Sequence, residues 1–380
     1  MTFEAALDLA TSRNLGLEAA RRQRAIREAA IRTARQLPNP DVTFEATRDL
    51  PHFFGAVGVP VEIGGKRSKR IDLATAELTL ADVDVRTELR GVRKALRQAF
   101  YSLVAADERV RLDVSVVEIS RRVRDAAQAR FETGAAPRLE VLQAELGVTR
   151  AETDLDVARS TRAAAQASLD AVLNFPPQQA VAVAGTLVDR TAAPVYDGAL
   201  SLAIASNVEL TRFDREIAVE QRRTELLRAE RMPTPVFSVG AFFSNPGGEV
   251  GTGLSAGINI GVPIFSRNQG EIAQSIAVAA QLRAQREATR RDVENSVFGA
   301  VAKIEAQRRQ VEAFERRLVP TATDLESLAE ESYRAGRTSI LALLDSQRSL
   351  RDLRREALQA MLDLQLSLAD LEEILGTALP

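Results

Sequence analysis

The sequence predicts a mainly α-helical chain with a small β part, built as a tandem duplication of one plan. Three observations predict it. Four stretches recur in the same order about two hundred residues apart. Ala, Leu, Arg, Glu and Gln dominate long segments, while aromatic residues are only 4% and Trp is absent, a composition of long helices or coiled coils. Two short regions alternate apolar with small or polar residues, which is the two-residue period of strands.

The repeat fixes the order of elements. ALDLATSRNLGL at 6–17 matches ALSLAIASNVEL at 199–210, with Leu7, Leu9, Ala10, Asn14 and Leu17 facing Leu200, Leu202, Ala203, Asn207 and Leu210. LPNPDVTF at 37–44 matches MPTPVFSV at 232–239. GVPVEIGGKRSKRI at 58–71 matches GVPIFSRNQGEI at 261–272. RFETGAAPRLEVLQAE at 130–145 matches SYRAGRTSILALLDSQ at 332–347. Two repeats follow, 1–196 and 197–380.

Each repeat opens with a helix, 3–35 or 197–230, stopped by a Pro-x-Pro that cannot continue it. A strand hairpin comes next, 40–64 or 234–265. In the second, Leu254, Ala256, Ile258, Ile260, Val262 and Ile264 share a face, opposite Ser255, Gly257, Asn259 and Gly261. Its partner strand offers Phe237, Val239, Ala241 and Phe243, and SNPGGEVG reads as the turn between them. In the first, Val42, Phe44 and Ala46 precede a DLPH turn, and Val57, Val59, Val61 and Ile63 follow it. A very long helix is then predicted, 67–130 or 268–333. At 1.5 Å per residue such a helix is roughly 90–100 Å long, the scale of a rod, a tube or a solenoid. A glycine turn and a last helix, 137–174 or 338–376, close each repeat. The segment 175–196 reads as a linker with a short strand.

Composition excludes several function classes. Fifty basic residues nearly cancel 52 acidic ones, so no long-range field draws the chain to nucleic acid. Without Cys there is no disulfide, thiolate chemistry or cysteine zinc site. His52 is the one histidine and reads as a surface loop residue. No Ser/His/Asp arrangement, phosphate loop or metal cluster is legible, so no catalytic, cofactor or metal site is expected and the chain does not read as an enzyme. Gly64-Gly65-Lys66-Arg67 lacks the remainder of a phosphate-binding loop. Its glycines read as a change of direction, and Lys66, Arg67, Lys69 and Arg70 as a basic edge facing lipid headgroups. Met1–Ala20 reads as an amphipathic helix rather than a secretory leader, a reading that a processed chain would share.

Four strands with one apolar face and two open edges are not stable alone. They match the 9–11 residues of a membrane strand, apolar outward and polar inward. Paired backbone in lipid then requires a barrel built from several chains.

With these residues in place the chain resembles the TolC-like outer-membrane efflux channels over nearly its whole length. The resemblance rests on the duplicated plan, the Pro-x-Pro before the strands and the Tyr/Phe-x-x-Gly helical turn. Glu62–Arg67 and Phe265–Gly270 are most similar to its heavy-metal branch, CzcC- and CusC-like. The resemblance implies a homotrimer in which long helical hairpins form a trimeric α-barrel and four strands per chain contribute to a 12-stranded transmembrane β-barrel. It implies location in the outer membrane with a periplasmic extension, a periplasmic adaptor and an inner-membrane pump of the RND type as partners, and no cofactor. Members are exported with a cleaved signal, often with a lipidated Cys, and neither is visible here.

The resemblance also implies site residues. Asp345 matches an acid that narrows the channel, Ala342 stands where some members have a second, and the first repeat has Gln143 and Glu140 at those positions. A constriction shared by Asp345 and Glu140 would favour cations; the alternative for Asp345 is a solvated helix face. Gly134, Ala135, Pro137, Arg138, Gly336, Arg337, Thr338 and Ser339 are the adaptor-docking candidates, with ordinary turn chemistry as the alternative. Pro60, Gly64, Gly65, Lys66, Arg67, Pro263, Arg267 and Gly270 mark the junctions between barrel and helices. Cargo stays open among metals, drugs and polypeptides, and a non-channel coiled-coil adaptor or scaffold is the rival class.

Overall fold

The computed structural model describes residues 1–49, 51–176, 182–188, 195–244 and 251–378. Helices α1 (Phe3–Arg13) and α2 (Leu15–Arg35) lead into strands β1 (Asp41–Ala46) and β2 (Phe53–Pro60). Helices α3 (Lys66–Glu132) and α4 (Arg138–Val172) follow. The second half runs α5 (Tyr196–Ser206), α6 (Val208–Glu230), β3 (Val236–Ser244), β4 (Gly251–Asn259), α7 (Gln269–Ala313), a π-turn (Phe314–Leu318), α8 (Val319–Arg334) and α9 (Ile340–Leu375). The chain forms two compact units, one of Met1–Glu18, Thr87–Asn207 and Asp292–Pro380, the other of Ala19–Arg86 and Val208–Arg291. Each draws segments from both sequence repeats.

The unit holding the strands contains a four-stranded antiparallel sheet in the order β1-β2-β3-β4. The hairpins of the two repeats therefore join through β2 and β3, with Val57 opposite Val239 and Val59 opposite Phe237. Register sorts the side chains cleanly. Val42, Phe44, Val57, Val59, Phe237, Val239, Phe243, Leu254 and Ile258 lie on one face and are exposed, Phe44 at 85% and Leu254 at 86%. The other face carries Thr43, Ala56, Gly58, Ser238, Gly240, Ser255 and Gly257, with Val236, Phe54 and Phe242 as its bulky exceptions. Exposed rows of large apolar residues mark a surface covered by a membrane or by another protein surface. In the same unit α2, α3, α6 and α7 are laced by Arg24–Asp82 (2.6 Å), Lys69–Glu225 (2.8 Å) and Arg286–Asp214 (2.7 Å). A buried polar layer of Ser275, Thr224 and Glu220 links α6 to α7, with Ser275 Oγ 2.9 Å from Glu220 Oε2.

The other unit is helical. Ala6 and Ala10 of α1 let it settle on Leu96, Phe100, Leu103, Leu169 and Leu173. Their repeat equivalents, Ala199 and Ala203 of α5, do the same on Val297, Val301, Ile304, Leu364 and Leu368. The end of α9 bears Asp370, Glu372 and Glu373, the wrong sign for a helix C-terminus. Arginine and lysine from α3 compensate: Lys94 reaches Asp370 (2.8 Å) and Glu373 (2.6 Å), and Arg97 reaches Glu372 (2.8 Å). Further along, Asp113 of α3, 1% exposed, takes Arg355 of α9 at 2.7 Å and Arg109 at 2.8 Å; Arg355 also holds Asp154 of α4 at 2.9 Å.

Several sequence expectations need correction. The predicted helices 3–35 and 197–230 are each two helices, because Asn14 and Asn207 turn extended (ψ 123° and 127°). Asn14 Oδ1 accepts from Leu17 N–H (2.9 Å) and so starts α2, a capping role that competes with helix continuation. Asn207 Nδ2 donates to Ile374 O (2.8 Å). The predicted helix 268–333 is interrupted at Phe314–Leu318, where Val319 N–H bonds Phe314 O in a π-type turn. Pro320 follows; it has no N–H and its ring would collide with the preceding turn of a regular helix. Strands predicted to reach 64 and 265 stop at Pro60 and Asn259. Asn259 pairs with the first residue of β3, Val236, so 260–264 run beyond any neighbouring strand of the sheet. Most of the SNPGGEVG turn, Leu50 of the DLPH turn and much of the 175–196 linker lie outside the described residues.

Candidate functional site

The two glycine turns have the same geometry. After α3, Gly134 has φ 73° and Ala135 N–H bonds Arg130 O at 2.8 Å. After α8, Gly336 has φ 70° and Arg337 N–H bonds Ser332 O at 2.9 Å. This is the left-handed C-terminal motif that glycine permits without strain. Pro137 and Ser339 then cap α4 and α9 in extended conformation, and Arg138 begins α4. Ala135, Pro137, Arg138, Arg337, Thr338 and Ser339 are all exposed.

Beneath the turns lies a small core of Val123, Ala127, Ala144, Tyr333, Ile340 and Leu343. Tyr333, 1% exposed, donates its hydroxyl to Glu140 Oε2 at 2.9 Å. Arg130 stacks 4.5 Å from its ring centre and donates to its carbonyl at 3.0 Å. Burial, then the Glu140 carboxylate, push the Tyr333 hydroxyl up to about 12 from 10.0. The structure thus places Glu140, half-buried, in a bond tying the first turn to the second. Sequence reading paired Tyr333 with Phe131 and missed this bond. The signal available was the lone hydroxyl that distinguishes them: Phe131 is exposed.

The sign of the pH effect follows. Tyr333 ionises less readily in the fold than outside it, so its contribution is complete below pH 10 and is lost as pH rises towards about 12. Tyr333→Phe is expected to lose about 1 kcal/mol of stability at neutral pH, because Glu140 keeps its burial but loses a donor. It should also flatten the alkaline loss between pH 10 and 12, read by denaturant unfolding at each pH.

Asp345 is exposed in the second turn of α9, whereas the Glu140 carboxylate is engaged by Tyr333. It lines a trough of about 290 Å³ together with its repeat partner Gln143, above Leu112, Val116 and Leu344. Arg150, Arg348, Arg351 and Arg354 border the same trough, against the acids Asp345 and Glu326. Cations outnumber carboxylates there, which the sequence did not reveal because these arginines come from two helices. Ala342 is exposed, and its N–H bonds Ser339 O at 3.2 Å.

In the strand-bearing unit, the first junction is built from local bonds. Val61 N–H bonds Pro235 O at 2.8 Å, just after Pro60. Gly64 (φ 72°) and Gly65 (φ 73°) then reverse the chain; a side chain at Gly64 would meet Met232. The basic residues each have a protein partner. Lys66 Nζ donates to Thr234 Oγ1 (2.5 Å), and Lys69 pairs with Glu225. Arg67 donates to Arg35 O (2.9 Å). Arg70 donates to Ala34 O (3.1 Å) and Gln36 O (3.0 Å) and pairs with Glu62 (2.6 Å). Arg67 and Arg70 therefore satisfy the open carbonyls at the end of α2, a use that the headgroup expectation did not include. At the second junction Asn268, not a glycine, takes the positive φ (54°) and donates to Leu227 O at 3.2 Å. Arg267 donates to Pro263 O at 3.2 Å, and Gly270 lies in the first turn of α7.

Among the described residues no helix is long and apolar enough to cross a membrane, and no cluster of His, Cys, Asp or Glu is arranged to hold a metal. The exposed apolar face belongs to the sheet.

Comparison with known proteins gives this arrangement a context. The profile of the outer membrane efflux protein family matches residues 6–174 and again 199–377. The chain belongs to this family. It is an outer-membrane efflux protein, mainly helical with four strands. A relative, the cobalt-zinc-cadmium resistance protein CzcC of Cupriavidus metallidurans, is 29% identical over 360 residues, spanning 92% of this chain and 84% of CzcC. The pyoverdine export outer membrane protein OpmQ of Pseudomonas putida is 24% identical over 302 residues, 76% of this chain and 62% of OpmQ. A crystal structure of CusC superposes with a TM-score of 0.79, covering 99% of this chain and 92% of that one, at 16% identity. That likeness is one of fold. Family membership sets aside the rival class, a non-channel coiled-coil adaptor or scaffold.

Proposed function

We propose that the chain is the exit duct of a tripartite efflux system, working as a homotrimer whose cargo is heavy-metal cations. The observation that carries the duct reading is the sorted sheet. Its large apolar residues suit lipid, its small and polar face suits a water-filled lumen, and the open edges of β1 and β4 can pair only with another copy. Three copies of four strands close a 12-stranded barrel. The exposed glycine turns are the docking tips for a periplasmic adaptor, which joins the duct to an inner-membrane pump of the RND type. The two sequence repeats supply the matching halves of each subunit.

CzcC, named for cobalt, zinc and cadmium resistance, supports the metal cargo. OpmQ, named for pyoverdine export, supports a second reading, a duct for pyoverdine or a compound like it. Deleting the gene decides between them. Metal efflux predicts that growth fails at lower cobalt, zinc or cadmium concentrations and that the gene restores tolerance. Unchanged metal tolerance with pyoverdine retained in the periplasm favours the second reading.

Asp345 is the proposed constriction residue, with Glu140 holding the turn in place rather than facing the pore. Asp345→Ala is expected to raise conductance in planar bilayers and, by leaving Arg150, Arg348, Arg351 and Arg354 opposed only by Glu326, to shift selectivity away from cations. Conductance and selectivity equal to the parent channel would assign Asp345 to an ordinary solvated face.

A further inference from the structure

We propose that Phe54 and Phe242 form an aromatic collar at the distal mouth of the barrel and set the size of what passes through it. The inference rests on the reading that several copies close the sheet with its small-residue face around water.

On that face the register defines rows. Asp41, Gly58, Ser238 and Gly257 form one; Thr43, Ala56, Gly240 and Ser255 form the next. Neither contains an aromatic ring. The third row is Glu45, Phe54, Phe242 and Gly253, farthest along β2 from the Gly64–Lys66 turn into α3. Two neighbouring strands thus place phenylalanines side by side on a face that carries no other aromatic ring among the described residues. Strand packing alone accounts for one of them. The Phe242 ring lies over Gly253, where any β-carbon would collide with it, the pairing by which an aromatic covers a strand glycine. Phe54 has no such glycine on its other side; its β1 partner is Glu45. Both rings are half-buried in the single chain.

Phe54 keeps part of its ring exposed on this face with no glycine to cover, so strand packing leaves its position unexplained. Three copies bring six rings and three Glu45 carboxylates to one circumference. Rings of apolar side chains narrow a pore and resist wetting by large hydrated solutes. In the two rows below the collar the lumen is walled by glycine, alanine, serine, threonine and Asp41, and there it is wider by the depth of a ring.

Because the chain has no Cys, single cysteines report on this without background. Ser238→Cys lies on the same face, two rows nearer the helices. Intact cells are treated from outside with a small cationic methanethiosulfonate or a bulky polyethylene-glycol maleimide. The collar predicts that the small reagent labels Ser238→Cys equally with or without Phe54→Ala plus Phe242→Ala, while the bulky one labels at least tenfold faster without the rings. Equal rates for the bulky reagent overturn the collar. Val239→Cys, on the opposite face, separates the two levels of the argument. If it labels as fast as Ser238→Cys with the small reagent, the barrel reading fails and the collar with it. If it resists while the bulky rate at Ser238→Cys is unchanged, only the collar fails. Should the double variant not assemble, Phe54→Ala alone keeps the Phe242–Gly253 packing and carries the same test.

Discussion

Gly240→Val is expected to part the two hairpins and to cost about 3 kcal/mol, the upper range for forcing bulk into a packed site. A β-carbon at Gly240 would stand 2.6 Å from Gly55 O, 2.9 Å from Ala56 Cβ and 3.0 Å from Ser255 Oγ. The serine oxygen can rotate away. The first two belong to the backbone and β-carbon of β2 and move only if β2 moves. The β2–β3 ladder is the joint between the repeats, so displacing it splits the sheet into two isolated hairpins, each too small to persist. Assembled protein in the outer membrane should fall to background. Gly261→Val is the control: nothing lies within 4 Å of its β-carbon, and its effect should stay within about 0.5 kcal/mol. Equal behaviour of the two variants would remove the β2–β3 joint from the account.

Arg355→Met is expected to cost about 3 kcal/mol by a different route. Asp113 is buried on α3, and its charge is tolerable because Arg355 and Arg109 both reach it. Arg355 also bridges to Asp154, so one guanidinium ties α3, α4 and α9. Removing it leaves a buried carboxylate with one partner instead of two. Asp113→Asn together with Arg355→Met removes the buried charge as well as its partner and should recover much of the loss. Unfolding in urea measures all three variants; a double variant no better than Arg355→Met alone would show that the cost is lost packing of the arginine stem.

The parts of the fold that depend on periodicity were legible in the sequence. Alternation in 253–264 and 235–243 located β4 and β3, though it ran past the end of β4 at Asn259, and a composition rich in Ala, Leu, Arg, Glu and Gln located the long helices. The parts set by single residues were not. Asn14 and Asn207 sit inside favourable helical sequence, and only their capping geometry shows that the helix restarts there. Pro320 was visible, but the π-turn that precedes it is a response of the backbone. At the candidate site the glycine turns were legible because positive φ has a sequence signature. The Tyr333–Glu140 bond was not, since its ends lie 193 residues apart and nothing local links them. Arg67 and Arg70 read as a basic edge for the same reason: the carbonyls that they satisfy belong to the end of another helix.

The central claim is that this chain is one third of a membrane-embedded duct. Light scattering on the purified protein in detergent, with the detergent contribution subtracted, measures that stoichiometry. The account predicts a protein mass of three chains of 41.3 kDa each, with precipitation when detergent is withdrawn. A monodisperse single chain that stays in solution without detergent would contradict it.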